Sequence, residues 1–477
     1  MKSRALELIC VCLLVFGLTG PVHCRAAKNG TANVSVRADQ PGLAIPPDFL
    51  GFSYEAPVLA RRYFDVHNQE LINLLDNLRT GVLRFGGNSV EFTYWSRKGK
   101  VKMPGSRATL TPPDLNRLFA FSKRTGWPVM LGLNLGHYDP QTAADEAAYA
   151  VKHGGSNLLA LEIGNEPDLF THNGQRPSTW GYDDFRKEYE AYFHAIRARA
   201  PGAPISGPVT CCKAGREWFP KFLSDEGNDL MMATFHNYPM SASRKLSPDS
   251  RSYPTIPRML SPQLMGRVAK EIHQLAQDAH AHHLPLRMAE VNSASSGGKD
   301  GVSNVFAAAL WGADYSFTLA EQGAVGLNFH GGFSCRGYTP ICISQGNYAA
   351  QPLYYGMLLF HAATPGRFVP VSVSTHANVT AYGVLASNGI LHLVLINKEE
   401  HSPVNLRVSG LASFSGATVL RLTAPSLDAQ TGITLGGRSV EASGKWDSGE
   451  PQLVEHQGRF FVLNLPAASA AVVNFRK

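Results

Sequence analysis

The sequence predicts a (β/α)₈ barrel followed by an all-β sandwich, and three features of the chain support this prediction. Short apolar runs alternate with amphipathic helical stretches from residue 46 to residue 362. Eight of these runs are apolar on both faces, as strands buried in a parallel sheet are. After about residue 365 the runs become short and β-rich, and turn residues separate them. Eight strands that alternate with helices over about 300 residues are typical of a closed barrel.

The predicted barrel strands share an apolar character on both faces. Their ranges are 49–52, 82–85, 129–133, 158–163, 205–207, 232–236, 286–289 and 325–329. The helical candidates between them cover 68–79, 114–125, 142–153, 183–200, 262–280 and 304–322. An open doubly wound sheet is the alternative, but no Gly-x-Gly-x-x-Gly turn follows the first strand. The barrel is therefore predicted over residues 46–362.

The C-terminal region has the pattern of an all-β sandwich. Its predicted strands include the β-rich runs 371–373, 391–396, 418–422 and 460–465. Turn residues separate them and helical periodicity is absent. The segment 32–38 also alternates apolar and polar residues, and it is expected to add a strand to the sandwich. The sandwich is accordingly predicted to comprise residues 28–45 and 363–477.

Composition and charge exclude several classes of protein. Hydrophobic residues make up 44% of the 477 residues and charged residues 17%, so the chain can form a core and is not disordered. The formal net charge of +7 slightly favours a polyanionic substrate. Lys and Arg are scattered rather than clustered, so no nucleic-acid partner is expected.

The N-terminus is predicted to be a secretory signal peptide over residues 1–24. A short basic start precedes a mostly apolar stretch over residues 5–20, and a processing site fits near Cys24. An uncleaved membrane anchor is the alternative. No later stretch is long and apolar enough to span a bilayer. The protein is therefore predicted to be secreted, extracellular or periplasmic, without stable membrane insertion.

The cysteines outside this segment suit an oxidising compartment. Cys335 and Cys342 close a short loop rich in Gly and Pro and are predicted to form a disulfide. The state of the adjacent Cys211 and Cys212 stays open. No cysteine or histidine spacing matches a zinc site, and no His-Glu-x-x-His pattern occurs, so no metal is predicted.

Two glutamates follow predicted barrel strands at positions suited to catalysis. Glu166 follows the fourth strand in Asn-Glu-Pro, and Glu290 ends the seventh. In a barrel of this kind the chemistry lies at the carboxyl ends of the strands. Two carboxylates about 5–5.5 Å apart can cleave a glycosidic bond with retention, one as nucleophile and one as proton donor. Glu162 lies inside its strand and is expected to form an internal ion pair instead.

Several segments resemble known glycoside hydrolases. The segment 161–167, LEIGNEP, is similar to the acid/base motif of the clan A retaining enzymes. The segment 83–88, LRFGGN, resembles the second-strand motif of glycoside hydrolase family 79, which contains heparanases and β-glucuronidases. His236-Asn237-Tyr238, the Glu290 segment and the stretch 352–360 are similar as well. The resemblance covers nearly the whole chain after residue 24 and implies the same barrel and sandwich.

The resemblance also implies a role for each matching residue. Glu166 would be the general acid and then the base, and Glu290 the nucleophile. Tyr238 would hydrogen-bond the nucleophile, and Asn165 the 2-hydroxyl of the sugar. Further substrate contacts are expected from the polar residues at the mouths of the first, second and sixth strands, which are Glu55, Asn88 and His236.

A glucuronic acid substrate also requires a site for its carboxylate. In the resembling family, backbone amides of a Gly-rich loop after the nucleophile and tyrosines from nearby loops bind this group. Gly297 and Gly298 supply such a loop here, and Tyr338 follows the eighth strand. Backbone N–H groups offer positive dipoles without a titrating charge. Ser295 stands where the family often has Tyr, so this part of the pocket departs from the family pattern.

The function expected from these features is that of a retaining β-glucuronidase that acts on a carbohydrate substrate without a metal or organic cofactor. Three alternatives remain. They are an endo-acting heparanase, another clan A exo-β-glycosidase such as a β-glucosidase or β-xylosidase, and a glycan-binding protein with an inactive site. The sequence does not specify the natural aglycone, exo against endo action, or the oligomeric state.

Overall fold

Eight parallel strands form a closed barrel in the computed structural model, which describes residues 30–99 and 105–477. The barrel strands are Gly51–Glu55, Val82–Gly86, Val129–Leu133, Leu158–Ile163, Ile205–Thr210, Met232–Asn237, Leu286–Val291 and Ala324–Gly331. They are called strands one to eight below. Each pairs with the next, and strand eight pairs with strand one, where Phe329 lies opposite Phe52. The predicted barrel is confirmed, and the open-sheet alternative is wrong because the sheet closes.

A helix follows each barrel strand, and parallel strands are usually connected by a helix in this way. These helices are Gln69–Asp76, Pro112–Thr125, Pro140–Gly154, Tyr182–Arg199, Cys212–Glu226, Pro262–Ala281, Phe306–Glu321 and Pro352–His361. Short helical turns accompany them at Ala56–Ala60, Asn88–Phe92, Gly155–Asn157, Pro167–Leu169, Gly227–Asp229 and Ile256–Met259.

Two of these helices were absent from the sequence prediction, each for a physical reason. Helix Cys212–Glu226 carries Pro220 in its interior, and an internal proline normally ends or kinks a helix. Helix Pro352–His361 is buried over its first nine residues and therefore lacks the polar face that reveals an amphipathic helix.

Helix Pro112–Thr125 shows how the local sequence determines the limits of an element. Thr111 and Asp114 form a capping box that satisfies free N–H groups at the first turn, and Pro112 occupies the first helical position. The helix ends at Gly126, whose φ of +71° suits glycine.

Two sheets form the C-terminal sandwich. One sheet contains, in spatial order, Val371–Ser374, Gly30–Val36, Val404–Ser409, Phe460–Leu465 and Glu455–Gln457. The other contains Ala44–Ile45, Gly366–Val369, Val379–Leu385, Leu391–Asn397, Ser469–Arg476, Gly416–Thr423 and Thr434–Leu435, with Gln452–Leu453 paired to Gly416–Thr423. The predicted contribution of the N-terminal segment is present, because Gly30–Val36 pairs with strands of the C-terminal region on both sides.

The central strand of the larger sheet, Leu391–Asn397, is buried on both faces. Along Leu391–Asn397, Leu393 and Leu395 belong to the core between the two sheets, whereas Val394 and Ile396 belong to the core that includes the barrel. This alternation follows from the two-residue period of a strand. The sandwich therefore packs against the barrel through a continuous apolar interface.

Three small strand pairs organise the loops. Thr93–Trp95 pairs with Ala108–Leu110, Met240–Ser241 with Ala294–Ser295, and Ile341–Ser344 with Asn347–Ala350. The second pair joins the loops after strands six and seven, which border the mouth of the barrel. The predicted signal peptide lies outside the described residues. Within the described part of the chain, no helix is long and apolar enough to cross a membrane.

Candidate active site

A cleft of about 710 Å³ opens at the carboxyl ends of the barrel strands. Nine of the ten predicted site residues line it. They are Glu55, Asn88, Glu166, His236, Tyr238, Glu290, Ser295, Gly297 and Tyr338. The tenth, Asn165, is buried immediately before Glu166. The fold therefore brings to one place residues that lie as far apart in the sequence as positions 55 and 338.

Glu166 and Glu290 face each other across the cleft. One carboxylate oxygen of each lies within 4.8 Å of the other and of a ring nitrogen of His236. Both side chains are largely buried. Glu166 has a left-handed backbone with a φ of +50°, and its N–H donates to the carbonyl oxygen of Val209. This constrained turn at the end of strand four directs the carboxylate toward Glu290.

Three side chains hold Glu290 in its ionised form. Arg84 donates to one carboxylate oxygen at 2.7 Å, and the Tyr238 hydroxyl donates to the other at 2.8 Å. His330 lies 3.5 Å from the oxygen that Arg84 contacts. Burial by itself would raise the pKa of Glu290, but the charges of His330 and Arg84 and the Tyr238 hydrogen bond more than offset this and keep its pKa well below the usual range.

Arg84 links several parts of the site from the interior of strand two. Its guanidinium is fully buried and also donates to Glu162 at 2.7 Å, to Asn165 at 2.9 Å and to Ser53 at 3.1 Å. The expected internal ion pair of Glu162 is confirmed, and Arg84 is its partner. A buried charge is tolerated when its donors are paired in this way.

Glu166 has the opposite protonation behaviour. Burial and the negative charge of Glu290 raise the pKa of Glu166 to about 8. The nearby Cys211 thiol partly opposes this rise in pKa. Glu166 is therefore a protonated acid at neutral pH, while Glu290 is a carboxylate, and the two roles are separated by their surroundings.

His236 contacts the acid. Its Nδ1 lies 3.0 Å from Glu166, and burial lowers the pKa of His236 to about 3, so the ring is neutral near pH 7. Its Nε2 is buried and finds no hydrogen-bond partner among the residues that the structure describes. The predicted substrate contact of His236 is therefore accompanied by a direct contact with Glu166.

The residues predicted to bind sugar hydroxyls form a polar wall beside the carboxylates. Glu55 accepts the backbone N–H and the hydroxyl of Ser89 and lies 3.8 Å from His330. The side-chain oxygen of Asn165 accepts a hydrogen bond from Arg84. The side-chain amide group of Asn165 donates to the side-chain oxygen of Asn88 at 3.4 Å.

The loops after strands seven and eight supply the residues predicted for the sugar carboxylate. Gly297 and Gly298 have φ values of +87° and +78°. The ring of Tyr338 stacks on that of Tyr238 with centroids 6.1 Å apart. Ser295 shares a hydrogen bond with Ser241 at 3.0 Å. The backbone carbonyl of Tyr338 accepts from Asn292, which ties the loop after strand eight to the strand that carries Glu290.

The Tyr338 loop also contains the predicted disulfide pair. Cys335 and Cys342 are bonded to each other, with Cα atoms 4.9 Å apart. Cys211 and Cys212, whose state the sequence left open, are free thiols that also line the cleft.

Comparison with known proteins supports the interpretation of this cleft as the active site of a glycoside hydrolase. Residues 381–472 match the glycosyl hydrolase family 79 C-terminal beta domain. A β-glucuronidase of Aspergillus niger is 25% identical and aligns over 94% of this chain and 95% of its own. A β-glucuronidase of Neurospora crassa is 27% identical over 69% of this chain and 68% of its own.

The C-terminal region therefore carries a domain of the glycoside hydrolase family 79 type, and the chain as a whole is similar to β-glucuronidases. It is a glycoside hydrolase that acts on O-glycosyl bonds.

Solved structures of other glycoside hydrolases share this fold. A 4-O-α-L-rhamnosyl-β-D-glucuronidase of Fusarium oxysporum 12S superimposes with a TM-score of 0.78 at 20% identity, over 92% of this chain and 99% of that one. A family 51 arabinofuranosidase of Xanthomonas axonopodis pv. citri has a TM-score of 0.68 at 14% identity, over 94% of this chain and 100% of that one. At these identities the likeness establishes the barrel and sandwich only.

Sequence reasoning gave no role to three residues of this site. They are Arg84, Glu91 and His330. Arg84 could have been noticed as a charged residue inside an apolar strand, and His330 as a polar residue near the end of strand eight. The buried Glu91 carboxylate accepts backbone N–H groups of Leu135, Gly136 and Asn165. It thereby fixes the loops after strands three and four, and no local pattern indicates this role.

Glu166, His236 and Glu290 also have the geometry of a cation site. Each offers one ligand atom within 4.8 Å of the others. Hydrogen bonds already join these groups. Glu166 contacts His236, and Glu290 is held by Arg84 and Tyr238. A cation here would compete with the proton that Glu166 carries and with the charge of Arg84.

Proposed function

We propose that this protein is a retaining β-glucuronidase that hydrolyses glucuronides or glycans containing glucuronic acid. The observation that carries the mechanism is the proximity of Glu166 and Glu290, with carboxylate oxygens within 4.8 Å. Retaining enzymes place their two carboxyl groups about 5–5.5 Å apart, whereas inverting enzymes need about 6.5–9.5 Å to admit a water. The names of the two fungal relatives support the choice of sugar.

In the first step Glu290 attacks the anomeric carbon, and Glu166 gives its proton to the departing oxygen. The ionised Glu290 is ready for attack because Arg84 and Tyr238 hold it in place. The raised pKa of Glu166 keeps the required proton available near neutral pH. The product of this step is a glycosyl ester on Glu290.

In the second step Glu166 accepts a proton from a water that attacks the same carbon. In the free enzyme the negative charge of Glu290 helps to raise the pKa of Glu166. Ester formation removes this charge. The pKa of Glu166 therefore falls once the ester has formed, and the residue becomes a suitable base. Two displacements restore the β configuration.

Recognition of glucuronic acid is assigned to the backbone near Gly297 and to the hydroxyl of Tyr338, with Ser295 beside them. These residues line the same cleft as the two glutamates. Charge-assisted hydrogen bonds are worth about 1.5–3 kcal/mol each. Two of them would favour the glucuronide over the glucoside by roughly a hundredfold or more, at about 1.4 kcal/mol per tenfold.

A panel of 4-nitrophenyl β-glycosides tests this proposal. The β-glucuronide should react roughly a hundredfold faster than the β-glucoside or β-xyloside. Equal rates would favour another exo-β-glycosidase, and no turnover of any substrate would indicate a binding protein. Size analysis of heparan sulfate after incubation separates exo action from an endo-acting heparanase. Proton NMR of the earliest product should show the β anomer, and an initial α anomer would contradict double displacement.

Tyr338→Phe tests the carboxylate pocket. It should lower activity on the glucuronide by about tenfold, because one hydrogen bond to a charged group is lost, and leave the slow glucoside reaction nearly unchanged. Tyr138→Phe is the matched control, since Tyr138 is 52% exposed and absent from the cleft lining. An equal loss of both activities in Tyr338→Phe would show that Tyr338 supports the site without binding the carboxylate.

The proposed location is outside the cytosol. Its support is the basic and apolar pattern over residues 1–24, together with a disulfide between Cys335 and Cys342. N-terminal sequencing of protein recovered from the medium or periplasm tests it. A chain that stays in the cytosol with residues 1–24 intact would contradict it.

A further inference from the structure

Cys211 and Cys212 lie side by side in the wall of the catalytic cleft. Their sulfur atoms are 2.8 Å apart, and both residues line the cleft that contains Glu166 and Glu290. Cys211 is buried between strand five and the following helix, whereas Cys212 begins that helix and is exposed. The pair thus combines a protected thiol with one that a solute can reach.

The backbone of the pair is unusual. Cys212 has a φ of +56°, in the left-handed region that a non-glycine residue rarely adopts. Such strain persists only where the surrounding structure maintains it, and it concentrates at functional sites. Here it accompanies two sulfur atoms that need to move together by less than about 1 Å to reach the bonded separation of about 2.05 Å.

We propose that Cys211 and Cys212 form a reversible disulfide that acts as a redox-sensitive modification site next to the proton donor Glu166. Adjacent Cα atoms are about 3.8 Å apart across a trans peptide. Ordinary disulfides span about 4.4–6.8 Å between Cα atoms, so a bond between neighbours is strained and easily reduced. Cys335 and Cys342, with Cα atoms 4.9 Å apart, fall within the ordinary range.

The oxidant required is a small-molecule disulfide. The Cys212 thiolate attacks one sulfur of this disulfide and releases the first thiolate, which leaves a mixed disulfide on Cys212. The Cys211 sulfur then attacks Sγ of Cys212, loses its proton to solvent and releases the second thiolate. Two protein thiols become one S–S bond, and the small disulfide takes up the two electrons to become two thiols.

Oxidation changes the surroundings of Glu166. The Cys211 thiol favours the ionised form of Glu166. Its sulfur lies 3.8 Å from a carboxylate oxygen of Asp168 and 2.8 Å from Sγ of Cys212. A disulfide has no S–H group, so the thiol can no longer favour the carboxylate and the pKa of Glu166 rises further. The other titratable or charged groups that act on Glu166 keep their covalent state during this reaction. They are Glu290, His236, Arg84, His330 and Asp168.

Peptide mapping tests bond formation without reference to catalysis. The enzyme is equilibrated in glutathione buffers from reducing to oxidising, alkylated, and cleaved with trypsin. In oxidising buffer the peptide 200–213 should be unalkylated and lighter by two hydrogen atoms than the unalkylated reduced peptide. In buffers that reduce this bond but leave Cys335 and Cys342 bonded, the peptide should be doubly alkylated. If both thiols of this peptide remain alkylatable in every buffer that oxidises Cys335 and Cys342, the proposal is wrong.

The coupling to Glu166 is measured by ¹³C NMR on enzyme labelled at the glutamate carboxyl carbon, with Glu166→Gln to assign the signal. The Glu166 midpoint should lie about 0.5–1 pH unit higher in the oxidised enzyme, as expected for the loss of one interaction with the strength of a hydrogen bond. Cys212→Ser is the matched control, because it retains the Cys211 thiol and cannot form the bond. Its midpoint should be the same in both buffers. An unchanged midpoint in oxidised wild type, or an equal shift in Cys212→Ser, would refute the coupling.

This inference rests on the proposed function only for its catalytic consequence. In an active enzyme, the basic limb of the pH profile should move by the same amount as the Glu166 midpoint. Neither the peptide map nor the NMR titration requires turnover. A protein that hydrolyses no glucuronide can therefore still form the bond, and an active glucuronidase can fail to form it.

Discussion

The two carboxyl groups of the cleft belong to the same residue type but differ in protonation because their neighbours differ. Glu290 contacts Arg84, Tyr238 and His330, all of which favour its negative charge. Glu166 faces that negative charge from a buried position. At the residue scale, the protonation states on which the proposed catalytic roles depend follow from the contacts around each side chain.

The first prediction concerns Glu290, the proposed nucleophile. Glu290→Gly should abolish turnover, because the attacking carboxylate is lost, and azide should partly restore it by entering the vacated space. The product of the rescued reaction should be the α-azide, because only one displacement occurs. Glycoside assays and NMR of this product provide the measurement.

A matched change at an exposed glutamate controls for loss of a carboxylate. Glu455→Gly, on a strand at the edge of the sandwich, should retain full activity and gain nothing from azide. If Glu290→Gly keeps more than a few per cent of activity without azide, Glu290 is not the nucleophile.

The second prediction concerns pH. Glu166 has to be protonated for the first step and its pKa is raised to about 8, so kcat/KM should fall as the pH rises through about 8. Glu290 has to be ionised, and its lowered pKa keeps the acid limb far below neutral pH. Rates measured from pH 3 to pH 10 on the glucuronide test both limbs.

Glu166→Ala provides the comparison for the basic limb. The variant should lose this limb, and substrates with good leaving groups should lose less activity than those with poor ones, because the former need no proton. Persistence of the limb, or equal losses for both kinds of substrate, would remove Glu166 from the role of acid.

At the scale of elements, the Gly-rich loop after strand seven is held against the loop after strand eight. A Cβ atom on Gly298 would lie 2.9 Å from the backbone nitrogen of Tyr338. The third prediction is that Gly298→Ala displaces the Tyr338 loop and lowers activity on the glucuronide more than activity on the glucoside. The comparison of kcat/KM for the two substrates is the measurement.

Gly301→Ala separates this contact from backbone strain. Gly301 has a φ of +75°, close to the +78° of Gly298, but a Cβ atom there meets nothing within 4 Å. Gly301→Ala should lower the free energy of unfolding without changing the preference for the glucuronide over the glucoside. If both variants change the preference equally, the contact with Tyr338 is not its cause.

Two buried helices show when a sequence pattern fails to predict a secondary-structure element. Helix Phe306–Glu321 is buried over fifteen consecutive residues yet was anticipated, because it is long and follows a clear strand. Helix Pro352–His361 is equally apolar but short, and a short apolar run does not distinguish a buried helix from a strand. Length therefore decided which buried helices could be predicted.

At the scale of the whole molecule, a buried ion pair joins the barrel to the sandwich. Lys398, directly after strand Leu391–Asn397, lies 2.7 Å from Asp314 on helix Phe306–Glu321, and both side chains are almost completely buried. Thr380 and Tyr382 donate further hydrogen bonds to Asp314. The pair connects the two domains through a site without solvent.

The fourth prediction is that Lys398→Met lowers the free energy of unfolding by about 3–5 kcal/mol, because it leaves Asp314 charged, buried and without its cation. Replacing both partners, as in Asp314→Leu with Lys398→Met, should cost less than the single change. Denaturant unfolding of each variant gives these values.

Lys213→Met is the control, since the pair Lys213–Glu217 is 3.9 Å long and largely exposed. Exposed pairs contribute about 0–1 kcal/mol, so this change should have little effect on unfolding. A loss in Lys398→Met no larger than that in Lys213→Met would show that the buried pair does not stabilise the interface.

The sequence by itself determined the barrel, the sandwich and the two candidate catalytic glutamates. Each of these depends on local information, namely the period of apolar residues and the position of a polar residue at the end of a strand. Glu166 and Glu290 could be predicted together because the carboxyl ends of all strands in a parallel barrel meet at one mouth.

Only the tertiary structure decided how these residues are tuned. Arg84 contacts Glu290 across 206 positions of sequence, and His236 contacts Glu166 across 70. The Cys211 thiol beside Glu166 likewise comes from the following strand-to-helix turn. Burial, charge and hydrogen bonding act over a few ångströms of space, and the spacing of residues along a chain does not determine which side chains share that space.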